Sequence, residues 1–399
     1  MFADAYRGRR VFVTGHTGFK GAWLTLWLLD LGAHVTGFAL EPPTEPSLFN
    51  AVGVGRDGAR RTASAGRLTD LRGDVRARGE LGAAVGDAAP EIVFHLAAQP
   101  LVRRSYEEPH LTYETNVMGT VDLLEAVRDL SDSGRAPRVA VIITSDKCYE
   151  NLEITHAYAE SDRLGGWDPY SSSKGCCELV AQAYGRSFFA GLEAPQIATA
   201  RAGNVIGGGD WGEDRILPDC ARAIASGRPV EVRNPDAVRP WQHVLESLSG
   251  YLWLGACAWG AGAAHGAGPE PDTPSSRASI RGAWNFGPSS DARVTVREVV
   301  EQFLQTWGEG DWRPAQGAAQ QPHEAGLLVL DAGKAERDLG WRPAWTAQEA
   351  VTRAAHWYRD YYAGAGPEAA LARCRGDIAD YAAAAAGRAI AWASNGDKA

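Results

Sequence analysis

The sequence predicts an α/β protein: a doubly wound parallel sheet that carries a smaller, mostly C-terminal α/β domain. Three observations predict it. Over the first half of the chain, short apolar runs of strand length alternate with stretches of helical periodicity. A glycine-rich turn, Gly15-His-Thr-Gly-Phe-Lys-Gly21, stands between the first run and the first helical stretch. After about Asn204 the elements shorten and Pro, Gly and Trp are scattered through them.

In chain order, Arg10–Thr14 reads as a buried strand, Phe19–Leu31, rich in Leu, Trp and Ala, as a helix, and His34–Leu40 as a second strand. Strand–helix–strand thus closes within about 30 residues, as parallel pairing requires. Ile92–Ala98 and Val139–Thr144 are further buried strands, each followed by helical periodicity, and Ile197–Val205 is another. Open parallel sheets bind ligands at the carboxyl ends of their strands, and the motifs described next lie at those ends. The expected organisation is a nucleotide-binding domain over 1–204 with a returning segment near 236–290, and a second domain built from 205–235 and 291–399. Residues 259–280, almost all Gly, Ala, Pro, Ser and charged, have little to bury and read as a flexible surface insertion. Asp377–Ser394 is Ala-rich and reads as helix; no internal repeat is visible.

The chain has 399 residues and a net charge of 40 − 49 = −9, with no basic run. Nucleic-acid and membrane-surface binding are therefore disfavoured, although a basic pocket for a small phosphorylated ligand is compatible with this charge. Six cysteines show no CxxC or metal spacing and read as buried thiols of a reducing compartment; no metal is expected. No secretory pattern precedes the first strand and no apolar run approaches the length of a membrane span. The expected location is the cytoplasm.

Glycines at 15, 18 and 21 give a tight turn, close backbone approach to a pyrophosphate, and a helix N-terminus aimed at its charge. In a strand–turn–helix context this GxxGxxG spacing resembles that of the extended short-chain dehydrogenase/reductase family, whose first domain is Rossmann-type. The resemblance implies that Gly15, Thr17, Gly18, Phe19, Lys20 and Gly21 hold the dinucleotide. It further implies that Asp74 and Val75 meet the adenine, that Leu96, Ala97, Ala98 and Gln99 form the loop beneath the cofactor, and that Asn116 is the family's helix asparagine. Where that family often places a ribose-binding Asp, this chain has Ala39, with Glu41 two residues on. NAD is the expected cofactor, with NADP left open by that departure.

Tyr170 and Lys174 stand at i and i+4, on one helical face, where a lysine and a cationic nicotinamide would lower the phenol pKa and let a phenolate take a hydroxyl proton. Ser145, at the end of the preceding strand, takes the family's Ser/Thr place. Asp146 and Lys147 follow it directly. An acid and a base after that residue resemble the sugar-nucleotide 4,6-dehydratase branch, in which the pair is usually Asp-Glu. The Asp-Lys variant, with GHTGFKGAWL, FHLAAQPLVRRSY, ITSDKCYEN, GGWDPYSSSKGC, RAGNVIGGGDW and WNFGP, resembles the members of that branch that act on CDP-glucose. The implied activity is NAD-dependent lyase chemistry. Tyr170 takes the 4-OH proton, Asp146 protonates the departing 6-OH, and Lys147 removes the C5 proton. As a base, a lysine must be neutral, against an ordinary pKa of about 10.4. An Asp146–Lys147 salt bridge that only shapes the loop is the competing reading, weakened because neighbours on an extended strand point oppositely.

The same resemblance implies that Asn204, Arg215 and Arg239 bind the substrate diphosphate, for which forked guanidinium groups are suited. Trp167, Trp211, Trp241 and Trp284 stand beside these motifs, with packing the favoured reading and stacking on sugar or base the alternative; His243 and His323 read equally well as structural. Helices Val117–Leu130 and Ser173–Phe189 resemble the pair through which the family forms a four-helix homodimer interface, with a larger homo-oligomer also open. The alternatives are a nucleotide-sugar epimerase, which has no need of Asp146 and Lys147, a dehydratase of another nucleotide sugar, and a non-catalytic dinucleotide sensor, which has no need of Ser145, Tyr170 and Lys174.

Overall fold

The computed structural model describes residues 1–54, 66–191, 193–260, 279–289, 293–315 and 327–394. Most of the expected insertion at 259–280, and His323, lie outside the described residues. The central sheet has seven parallel strands: β1 (Arg10–Thr14), β2 (His34–Ala39), β3 (Arg67–Arg72), β4 (Ile92–His95), β5 (Val139–Ile143), β6 (Gln196–Ala202) and β7 (Gly282–Phe286). Their order is β7-β6-β5-β4-β1-β2-β3. The chain runs outward from β1 to β3 and then crosses back to β4, so the order reverses between β1 and β4 and a crevice opens there at the carboxyl ends.

The apolar runs are continuous because both faces of the sheet are covered. Val11, Val13, Ile92, Phe94, Val139 and Val141 enter one core, while Phe12, Val93, Ala140 and Ile142 enter the other. Helix α1 (Phe19–Asp30) lies on the first face. Helices α2 (Arg78–Ala88) and α3 (Gly119–Asp132) line the second with Leu81, Val85, Leu123 and Val127, and α4 (Pro169–Ser187) adds Ala181. The remaining long helices are α5 (Ile216–Ala225), α6 (Val244–Cys257), α7 (Val296–Trp307), α8 (Ala347–Tyr362) and α9 (Pro367–Gly387).

Helix α1 lacks an exposed face for most of its length, burying Trp23, Leu24, Trp27 and Leu28 alike. The cause is α9, which packs on its outer side. Arg375 forms a two-pronged ion pair with Asp30, and the Tyr381 ring meets Trp27 edge-on at 5.9 Å. The Ala-rich C-terminal helix therefore starts earlier than expected, at Pro367 rather than Asp377, and it is docked. Its Tyr381 hydroxyl donates to the buried Glu246 of α6 at 2.6 Å, which also accepts from the Ala344 and Trp345 amides.

Beyond β6, short ladders carry the chain over the carboxyl ends of the sheet. Val205–Ile206 pairs with Gln242–His243 in parallel, and Val238–Arg239 with Val294–Thr295 antiparallel. These bring Asn204 and Arg239 to a pocket that Arg215, at the start of α5, also lines.

Candidate active site

The glycine turn is built by close approach. Gly15 has φ +72°, and a Cβ there would lie 2.7 Å from the Ala97 amide nitrogen; one on Gly21 would lie 2.0 Å from the Gly15 carbonyl oxygen. At Gly18 the nearest atom would be 3.5 Å away, so this glycine instead leaves the helix start open. No side chain caps α1 there, and its first-turn amides face the turn. Thr14 stitches the two loops together, its Oγ1 accepting from the Leu96 and Ala97 amides at 3.1 Å and lying 2.8 Å from His95 Nδ1. Thr17 is tied to the end of β2, its hydroxyl donating to the Leu40 carbonyl.

At the β2 and β3 ends, Ala39 is buried and Glu41 pairs with Arg72 at 3.2 Å; Arg72 also reaches Asp70, which holds His16 at 2.8 Å. Two carboxylates thus surround one guanidinium where the outer ribose of a dinucleotide would sit. A 2′-phosphate would be repelled by the net negative charge there, and an uncharged 2′-hydroxyl would not. Asp74 is engaged by Arg76, which holds its carboxyl below the usual range, and Val75 packs against Gly119.

Asn116 lies in a one-turn π-helical widening, Glu114–Met118, a distortion that frees a carbonyl from the helix ladder. Its backbone oxygen accepts from the Thr120 hydroxyl and the Cys177 thiol. Its side chain accepts from the Gln99 amide and donates to Ser173 Oγ, joining the loop after β4 to α4.

Tyr170 is the second residue of α4, whose start is fixed by Asp168 as N-cap and Pro169. One turn on, Lys174 is buried with its Nζ donating to the Ile143 carbonyl at 3.2 Å, at the end of β5. The spacing expectation is met, but the electrostatics differ from it. Burial pushes the Tyr170 phenol up to about 12, against the Ser145 hydroxyl and Arg215, which favour its phenolate. Without a further cation the phenol stays protonated.

Ser145, two residues past the end of β5, caps a single 3-10 turn, Asp146–Cys148, accepting from the Lys147 amide at 3.2 Å and donating to Asp146 Oδ1 at 2.9 Å. Asp146 and Lys147 are therefore on a turn and not, as expected, on an extended strand. Among the described residues no ion pair within 4.0 Å joins the two, and Lys147 is half-buried. Asp146 is 2 % exposed, its Oδ2 has no protein partner, and burial raises its pKa against the pull of Lys147, Ser145, Lys20 and Arg239. A neutral carboxyl here has one oxygen held by Ser145 and the other free to donate.

Lys20 stands apart from its motif. Its Nζ donates to the Tyr251 hydroxyl at 3.3 Å, and desolvation brings its pKa down to about 7 against the opposing pull of Asp146. Lys20 and Tyr251 join Asp146 and Tyr170 in one cluster that sequence spacing could not reveal.

On the opposite side, Asn204, Arg215 and Arg239 line the pocket with Arg233, Asp214 and Trp241. Asp214 bridges Arg233 at 2.8 Å and Arg103 at 3.5 Å. Of the tryptophans, Trp241 lines the pocket, Trp211 and Trp284 are buried, and Trp167 is 78 % exposed. His243 is buried and caps α6 through Nδ1, a structural placement.

A family model for GDP-mannose 4,6 dehydratase matches residues 12–255. The chain is 44% identical over 388 residues to the CDP-glucose 4,6-dehydratase of Salmonella typhimurium, covering 95% of this chain and 98% of that one. It belongs to the sugar-nucleotide 4,6-dehydratase family. A dTDP-glucose 4,6-dehydratase of Xanthomonas campestris is 25% identical, over 87% of this chain and 92% of its own. Among solved structures, the dTDP-glucose 4,6-dehydratase of Bacillus anthracis superposes with a TM-score of 0.67 at 20% identity, over 88% of this chain and 96% of that one. The epimerase Mth375 of Methanothermobacter thermautotrophicus superposes with 0.71 at 20%, over 91% and 95%. Both share the fold. Membership of the dehydratase family accords with an acid at position 146, a group that distinguishes water elimination from epimerisation.

Proposed function

We propose that this chain is a CDP-glucose 4,6-dehydratase that converts CDP-glucose to the CDP-linked 4-keto-6-deoxy sugar with NAD as a recycled cofactor. The observation that carries the reading is Asp146: a buried carboxyl, biased toward its neutral form, on the turn that Ser145 caps and in one cluster with Tyr170. The choice of CDP-glucose is supported by the Asp-Lys pair and by the 44% identity to the Salmonella typhimurium enzyme.

The residues fit a dinucleotide. Gly15 and Gly21 leave room only for backbone, the start of α1 offers amides to a pyrophosphate, and Glu41 with Asp70 disfavours a 2′-phosphate. The loop of Leu96, Ala97, Ala98 and Gln99, together with Asn116, would support the nicotinamide end, and Asp74 with Val75 the adenine. When bound, NAD would supply the hydride acceptor for C4 and the hydride donor for C6.

The protein's own groups then move protons. Tyr170, converted to phenolate once a positive ring lies beside it, takes the 4-OH proton, while Ser145 orients that hydroxyl and Lys174 supports the phenolate. The 4-ketone acidifies C5; Lys147 removes that proton and Asp146 protonates the departing 6-OH. Asn204, Arg215 and Arg239 would grip the diphosphate, with Arg233 an additional donor on the same wall. The exposed Leu179 and Phe188 on and just after α4, with Met118 before α3, are apolar surface suited to a homodimer through these helices. Six free thiols accord with a cytoplasmic enzyme.

The test is a panel of CDP-, dTDP-, UDP- and GDP-glucose. CDP-glucose should be turned over best, giving a product lighter by one water that absorbs in the near ultraviolet in alkali. A product of unchanged mass would contradict dehydration, and preference for another nucleotide would contradict the substrate.

A further inference from the structure

Resting on the dehydratase reading, the geometry points to a second role for Ser145: it returns a proton from Tyr170 to Asp146, so that the proton taken from the 4-hydroxyl leaves the site in the water produced. A count of protons requires some such path. The 4-OH proton is left on Tyr170. The departing 6-hydroxyl takes a proton from Asp146. The proton removed from C5 goes to a base and a proton comes back to C5 in the product, so the base resets itself. One turnover therefore leaves Tyr170 with one proton too many and Asp146 with one too few.

Ser145 lies between the two. Its hydroxyl donates to Asp146 Oδ1 at 2.9 Å, and it is foremost among the groups that favour the Tyr170 phenolate. Tyr170, Ser145 and Asp146 are 8 %, 7 % and 2 % exposed, so a cleft filled with cofactor and sugar leaves little route to bulk water. The second carboxyl oxygen, Oδ2, is buried without a protein partner beside Gly203, where a Cβ would lie 3.3 Å from it. The carboxyl thus has one oxygen facing the serine and one left for the sugar.

The transfer balances. The Tyr170 O–H bond breaks as its proton bonds to Ser145 Oγ, the Ser145 O–H bond breaks as its proton bonds to Asp146 Oδ1, and the Asp146 Oδ2–H bond breaks as its proton bonds to the leaving oxygen. Phenolate is regenerated and Asp146 ends neutral. A proton entering at one carboxyl oxygen while another leaves from the second spares the site a bare carboxylate where water is excluded, and burial already disfavours that charge. The Lys147 amide, donating to the same Ser145 oxygen, fixes the rotamer that points the hydroxyl at Asp146.

The experiment compares wild type, Ser145→Thr and Ser145→Ala with CDP-glucose by rapid quench, at several concentrations of imidazole or acetate buffer. In Ser145→Ala we expect one product per site followed by later turnovers slower by about 100-fold. That slow phase should accelerate with buffer concentration, because an external acid must recharge Asp146. Wild type and Ser145→Thr should show no buffer dependence. Infrared difference spectra, with Asp146→Asn to identify the band, should show the Asp146 acid carbonyl persisting after one turnover in wild type and lost in Ser145→Ala. A Ser145→Ala variant slowed equally in every turnover, with no buffer response, would overturn the relay. If that variant makes no product at all, single-turnover rates of wild type in H2O/D2O mixtures decide: a curved dependence retains the relay and a straight line rejects it. Failure of wild type to form the dehydrated product would instead overturn the dehydratase reading itself.

Discussion

At the scale of single residues, the proposed roles separate proton acceptance at C4 from elimination at C5 and C6. Asp146→Asn keeps the shape of a carboxyl and removes its acidic proton. We expect it to slow dehydration by about 100- to 10,000-fold while oxidation at C4 persists, seen as near-ultraviolet absorbance of reduced nicotinamide that forms and stays. Lys147→Ala should behave alike if Lys147 is the base, and full activity in that variant would refute the assignment. Ser145, Tyr170 and Lys174 were legible in the sequence because helix periodicity and strand position dictate where they meet. The Lys20–Tyr251 contact was not, since it joins residues 231 positions apart through the fold alone. The same holds for Asp214, clasped between Arg103 and Arg233 from separate elements. The direction of the Tyr170 shift also escaped sequence reasoning, because the spacing of a lysine says nothing of how deeply the phenol is buried.

At the scale of elements, the glycine turn makes a graded claim. Gly15→Ala would place a Cβ against the Ala97 backbone at positive φ, and Gly21→Ala would drive one into the Gly15 carbonyl. Each should lower thermal stability by about 1–3 kcal/mol, whereas Gly18→Ala, with ordinary contact distances, should stay within about 1 kcal/mol. Denaturation curves of the three variants check this, and equal effects would contradict the packing account. Five of the seven sheet strands were legible from their apolar runs, whereas the edge strands β3, polar and mostly half-exposed, and β7 were not. The two-residue ladders that hang Asn204 and Arg239 over the site have no periodicity to read. The turn at Asp146–Cys148 was misread as strand because nothing in the apolar pattern marks where pairing stops; the cap formed by Ser145 does.

At the scale of the whole molecule, α9 closes the fold by lying on α1, and its Tyr381 meets the buried Glu246 of α6. Desolvation raises the Glu246 pKa to about 7 in spite of its three donors. A carboxyl raised on folding stabilises fully below its unfolded value, about 4.3, and that contribution is lost as pH rises through about 7. The melting temperature should therefore fall from pH 5 to pH 8 by more in wild type than in Glu246→Gln; equal slopes would contradict this. Leu179→Arg, on the exposed side of α4, should shift the protein to a lower mass in light scattering if α3 and α4 form the dimer. The central claim concerns the path of one hydrogen, and CDP-glucose carrying deuterium at C4 tests it most directly. The account expects the deuterium at C6 of a 4-keto-6-deoxy product, moved within one molecule. Deuterium still at C4 of an intact or epimerised sugar would contradict it.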